Sequence, residues 1–213
     1  MRTPLRGLTL VELLLGLAIG LFVVAAALSL WAGRIREHRV LLLQGRLMQD
    51  LRVATEVVTR DLRRAGYWAA PIATTGNPYA AVAPASAASD AVSFSFSRDA
   101  TEDHALGAGE QFGFRLRAGV IEMLLGDRWQ ALTDAGTVTI TTFDIVPHTH
   151  EIALLGFCAQ PCVPKTPQCM PRQLVRSLAV TISGRAVTER TLVRTVRSQV
   201  RLRNDAIVGS CPA

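Results

Sequence analysis

The chain opens on an apolar block and only later settles into alternation. Leu8 to Ala32 is almost unbroken in hydrophobic character, and Glu12 is the one charge inside it. At ~1.5 Å per residue, those ~25 positions predict a helix of ~37 Å, long enough to cross a bilayer with some tilt. A second helical pattern follows directly. Val40, Leu43, Leu47, Leu51, Ala54, Val58 and Leu62 recur three or four residues apart, which makes one stripe on a helix. Gln44, Arg46, Gln49, Asp50, Arg52, Glu56 and Arg60 fall on other faces. Gly66 is placed to end the helix, and Arg63 and Arg64 in its last turn complement the dipole. The pattern predicts one helix from Leu8 to Ala65, apolar all round in its first half and amphipathic in its second.

After Gly66 the period changes. Residues 67–90 are rich in Ala, Pro, Ser and Gly and predict a long loop, with Pro71, Pro78 and Pro84 denying it regular helix. Val92, Phe94 and Phe96 then alternate with serines, and Phe112, Phe114 and Leu116 keep the same period. Val120 to Leu125, a Gly126-Asp127 turn and Trp129 follow. Val138 and Ile140, the run Ile152 to Phe157, and Leu178, Val180 and Ile182 continue the series. Val196, Val200 and Leu202 share a face opposite Arg197, Arg201 and Arg203. Period-2 segments between turn signals predict a largely antiparallel sheet, hence an α+β fold. Such a sheet needs cover on one face, so the stripe is expected to pack on it in cis rather than in a coiled-coil dimer.

Composition adds little until it is divided along the chain. With 213 residues, 49% of them hydrophobic, there is room for one globular domain plus the helical appendage. The formal charge of +6 falls to +4 if Arg2 and Arg6 are removed with a leader, too small an excess to imply nucleic acid. Cys158, Cys162, Cys169 and Cys211 all follow the apolar block. In an exported domain two disulfides are expected, with three connectivities open and Cys211 tying down the C-terminus to one of the others.

Three readings compete for the N-terminus. A cleaved secretory signal has the basic start, and Ala25-Ala26-Ala27 could serve as its cleavage site, but the apolar run is too long for it. A plain membrane anchor leaves Glu12 unexplained and gives no clean orientation, since Arg2 and Arg6 are balanced by Arg34, Arg36 and Arg39. The third accounts for every feature. Arg6-Gly7-Leu8-Thr9-Leu10-Val11-Glu12-Leu13 resembles the prepilin processing motif of the type IV pilin-like superfamily. That resemblance implies cleavage between Gly7 and Leu8 by a prepilin peptidase/N-methyltransferase and methylation of the new N-terminal residue, Leu8. The family usually carries Phe there. It also implies that Glu12 meets the N-terminal amine of a neighbouring subunit. Gly16 and Gly20 add a weak small-xxx-small pair.

The resemblance sets out an architecture: leader 1–7, membrane and filament-core helix 8–33, amphipathic helix 34–66, and a β-rich head 67–213 with a Cys/Pro-rich loop at 158–171. Asp61-Leu62-Arg63-Arg64-Ala65-Gly66-Tyr67, Gly126-Asp127-Arg128-Trp129-Gln130-Ala131-Leu132 and the terminal Leu202-Arg203-Asn204 resemble PilW-type minor pilins. That group implies a subunit that helps initiate a type IV pilus and can sit at its tip. The implied partners are the lipid bilayer, the other minor pilins, the major pilin and the inner-membrane assembly platform. The implied course is from the bacterial inner membrane, with the head in the periplasm, to the filament at the cell surface. The alternatives are a J-type minor pseudopilin of type II secretion and a membrane-tethered periplasmic binding protein or enzyme.

The rest of the chain offers little chemistry. Nucleophile-elbow, phosphate-loop and zinc-protease motifs are missing from the sequence. His148 and His150 with Asp144 have strand spacing for a metal, but Pro147 and Thr149 predict a turn that would scatter them. Cys158-x3-Cys162-x6-Cys169 is too loose for zinc. Arg197, Arg201 and Arg203 lack the aromatic partners of a nucleic-acid groove. No enzyme activity, metal or cofactor is expected, and nucleic acid is not an expected partner.

Overall fold

The long helix expected from the apolar block and the stripe is α1, which runs from Leu10 to Leu62. The computed structural model describes residues 9–71, 76–98, 101–160 and 170–211, apart from the side chains of 32, 33, 35 and 36. The chain divides into two units, Met1–Gly45 and Arg46–Ala213. In the first, Leu10–Trp31 has a mean hydropathy of 2.7 and none of it is buried. It is the single described helix long and apolar enough to anchor in a membrane or act as a signal segment.

The second unit is the head with the C-terminal turns of α1. Leu47, Leu51, Ala54, Val58 and Leu62 are buried along one face of that helix, as the stripe requires. Val40 is exposed and Leu43 half-buried, so burial starts at Leu47. Thr55 and Thr59 widen the buried face. Their hydroxyls donate to the carbonyls of Leu51 at 2.7 Å and Thr55 at 2.8 Å, which satisfies them without leaving the helix. Each fully buried Leu or Val contributes roughly 1.5–3 kcal/mol, so this face fastens helix to head.

The expected sheet is in fact two, both antiparallel. The first is a meander of β1 (Val82–Ala83), β2 (Ala91–Ser95), β3 (Gln111–Arg117), β4 (Val120–Leu125) and β5 (Arg128–Ala131), in that spatial order. The second holds β6 (Val138–Ala153), β7 (Arg172–Ala186) and β8 (Val193–Arg201), and β9 (Ala206–Val208) pairs with the start of β7. The sheets are tied by a bridge between Ser89 and Ile145 and by the Ile140 amide donating to the Gly119 carbonyl at 2.8 Å. Phe94, Phe96, Phe112 and Phe114 form the aromatic core of the first sheet, with the Phe96 and Phe112 rings stacked at 4.1 Å.

Leu51 reaches the second sheet at Gly184. A Cβ there would stand 3.0 Å from Leu51 Cδ2 and 2.9 Å from Val138 Cγ2, so a bare backbone is what admits the helix side chain.

Several sequence expectations are corrected. The helix ends at Leu62 rather than Ala65, because Arg64 and Ala65 bond back only three residues and tighten the last turn. The loop at 67–90 contains β1 and the fully buried Tyr79. Ile152 to Phe157 is not a separate strand: it closes β6 and passes into a 3₁₀ turn at Leu155–Phe157. His148 and His150 stand in strand, not in a turn. Pro147 is tolerated there because β6 is an edge strand, whose outer side needs no amide donor.

Candidate assembly segment and helix-end junction

Two places carry the residues singled out from the sequence. The first is the start of α1. Gly7 and Leu8 lie outside the described residues; Thr9 and Glu12 lie within them. The Thr9 amide and hydroxyl both donate to Glu12 Oε2 at 3.0 Å, and the Glu12 amide donates back to Thr9 Oγ1 at 3.3 Å. This reciprocal pair is a capping box, which satisfies amides that the first helical turn leaves without partners. Glu12 is thus already a local structural element. Its sequence signal is Thr-x-x-Glu ahead of an apolar run. Both Thr9 donors meet one oxygen, so Oε1 can meet a further cation without breaking the cap. Around Gly16 and Gly20, an added Cβ would meet nothing within 4 Å.

The second place is the exit of the helix. Gly66 has φ +77°, the left-handed conformation a helix C′ residue adopts. Its amide donates to the Ser95 carbonyl at 2.9 Å. Its carbonyl accepts from two side-chain amides, Asn77 Nδ2 at 2.8 Å and Asn204 Nδ2 at 2.7 Å. The Ser97 amide donates to the Tyr67 carbonyl at 2.9 Å, so the chain leaving the helix pairs with the end of β2. The Arg64 guanidinium lies 4.1 Å from the Phe96 ring centroid, and Arg203 lies 6.0 Å from that of Tyr67. Ala65-Gly66-Tyr67 and Arg203-Asn204, more than a hundred residues apart, are therefore one junction. Asn204 sits at φ +59°, which Asn tolerates better than most residues. The contribution of Asn77 carried no sequence signal.

Cys158 and Cys211 are disulfide-bonded, with Cα atoms 5.3 Å apart. The bond joins the 3₁₀ turn after β6 to the tail after β9. Cys162 and Cys169 lie outside the described residues.

Titratable groups in the head hold structure. The buried Tyr79 hydroxyl has two acceptors in reach of its one proton, Glu102 Oε1 at 2.9 Å and the Ala105 carbonyl at 3.2 Å. Burial, helped by the Glu102 and Glu110 carboxylates, pushes its pKa well above the ordinary phenol value, so it stays a donor. Glu110 accepts the Arg98 amide on one oxygen and the Gly107 amide on the other, both at 2.9 Å. Arg197, Arg201 and Arg203 are exposed, and Arg201 is paired with Asp205. Among the described residues no three His, Cys, Asp or Glu side chains form a metal cluster. A depression of about 510 Å³ beside β1 is lined largely by apolar side chains such as Val82, Phe94, Leu106 and Leu124, with Arg176 its one charged residue.

A family model described as "PpdB: Prepilin peptidase-dependent protein B" matches residues 40–202. The matched span starts beyond the apolar block, so it owes nothing to the Gly7–Glu12 motif. No curated protein matches the chain. No solved structure matches it either. The match spans most of the chain, so this chain belongs to the prepilin peptidase-dependent protein B family, a pilin- and pseudopilin-related group whose members are structural rather than catalytic.

Proposed function

We propose that this chain is made as a prepilin, is cut between Gly7 and Leu8 and N-methylated at Leu8, and serves as a minor subunit in pilus or pseudopilus assembly. The observation that carries this reading is the direct join of Arg6-Gly7-Leu8 to a capped apolar helix whose one internal charge is Glu12. The cut creates an ammonium at Leu8, four residues before that carboxylate. Neither charge is stable in hydrocarbon alone, and each is the other's natural partner on adjacent subunits. Pairing would set the axial register of an incoming subunit. Arg34 and Arg39 then mark the membrane exit, and the head stands in the periplasm until the filament carries it to the cell surface. The prepilin peptidase, the assembly platform, the major pilin and the other minor pilins are its partners.

Two filaments fit. The PilW-type reading, a pilus initiator near the tip, is supported by Ala65-Gly66-Tyr67 and Arg203-Asn204, residues on which the helix-end junction depends. The J-type pseudopilin reading is supported by the family description, which names dependence on the prepilin peptidase and not on a pilus. Deleting the gene separates them. Loss of surface pili with exoprotein secretion intact is the result for a pilus subunit, and lost secretion with pili intact is the result for a pseudopilin. A strain unchanged in both would overturn the assembly role itself.

A further inference from the structure

His148 and His150 are two residues apart on β6, so their side chains project from the same face of the sheet. Both are exposed. Across the ladder they face Ser177 and Val175 on β7. Glu151 and Thr149 point to the other face, where Glu151 is engaged by Arg172 at 2.7 Å. The cation in lateral register with His148 is Arg201, two strands away, and Asp205 holds it.

Their Cα atoms are separated by two strand residues, ~6.7 Å. A metal ion bonded to two imidazole nitrogens at ~2.0–2.1 Å needs those nitrogens about 3 Å apart. Two exposed imidazoles on one strand face close that gap by rotation about χ1 and χ2, with no backbone change. The regular pairing of β6 with β7 from Thr142 to Ala153 holds the strand in place for it.

We propose that His148 and His150 form a bidentate surface site for a divalent, imidazole-preferring transition ion, of the copper, nickel or zinc class. Two protein ligands leave coordination positions open to water or to a donor from another molecule. That openness fits an exposed strand at the free edge of a sheet.

Cu(II) titrated into the untagged full chain in detergent micelles tests this, with pulsed electron paramagnetic resonance used to count imidazoles on the copper. The expected result is one site with two imidazoles. His148→Ala or His150→Ala should leave one imidazole and weaken binding by at least the ~10–100-fold that loss of a mere supporting partner costs. The double variant should lose the site, with its thermal unfolding in the absence of copper unchanged. His38→Ala and His104→Ala serve as controls and should bind as the unaltered chain does. A double variant that still binds Cu(II) through imidazole would overturn the proposal, as would an unaltered chain that shows one imidazole or none.

Discussion

Replacing Glu12 by Ala should leave cleavage between Gly7 and Leu8 intact and reduce incorporation into filaments to background. On the proposed reading the peptidase acts before any subunit pairing, so processing would not need the carboxylate. Incorporation would, because the Leu8 ammonium of a neighbour would otherwise enter the helix core without a counter-charge. Removing one partner of a buried ion pair costs ~3–5 kcal/mol, more than a hundredfold in association. The capping box offers a rival explanation, since Glu12→Ala also loses the bonds from Thr9. Glu12→Gln separates the two. Glutamine serves in a capping box as glutamate does, yet carries no charge. If pairing is what matters, Glu12→Gln fails to assemble; if the cap is what matters, it assembles normally. The fraction of processed subunit in sheared filaments, compared with that in membranes, gives the answer.

Leu51→Ala should loosen the head from its helix. Leu51 is fully buried and reaches the backbone at Gly184. Large-to-small changes at such sites cost ~2–5 kcal/mol, which for a unit of this size lowers the melting temperature on the order of 10 °C. Leu42→Ala, at an exposed position on the same helix, should change it little. Thermal unfolding followed by near-ultraviolet circular dichroism reads both variants. Equal melting temperatures would mean that the stripe does not carry helix-to-head packing.

The helix was the most legible part of the chain because its information is local. A three-four repeat names the buried face, and Leu47 to Leu62 occupy it. The repeat missed Thr55 and Thr59, since a threonine reads as polar until its hydroxyl finds a carbonyl one turn back. Strands were legible one at a time, but their division into two sheets depends on pairing between distant segments, such as Gly119 with Ile140, that alternation does not encode. Pro147 misled for a related reason. It argues against a central strand, and only the topology makes β6 an edge.

Of the candidate site, Glu12 was visible as a charge out of place, and its cap was visible as Thr-x-x-Glu. The junction at Gly66 was half visible. Its glycine announced a helix end, while the two asparagines that hold its carbonyl come from 11 residues and 138 residues away. The partner of Cys211 was open among three cysteines by counting, and the structure joins it to Cys158.

Mass spectrometry of the intact N-terminal peptide, taken from protein extracted from membranes, bears most directly on the assembly role. The account predicts a chain that begins at Leu8 with one methyl group on its amine, and a chain that begins at Met1 when the prepilin peptidase is absent. A mature chain beginning after Ala27, or one that keeps Met1 with the peptidase present, would contradict it.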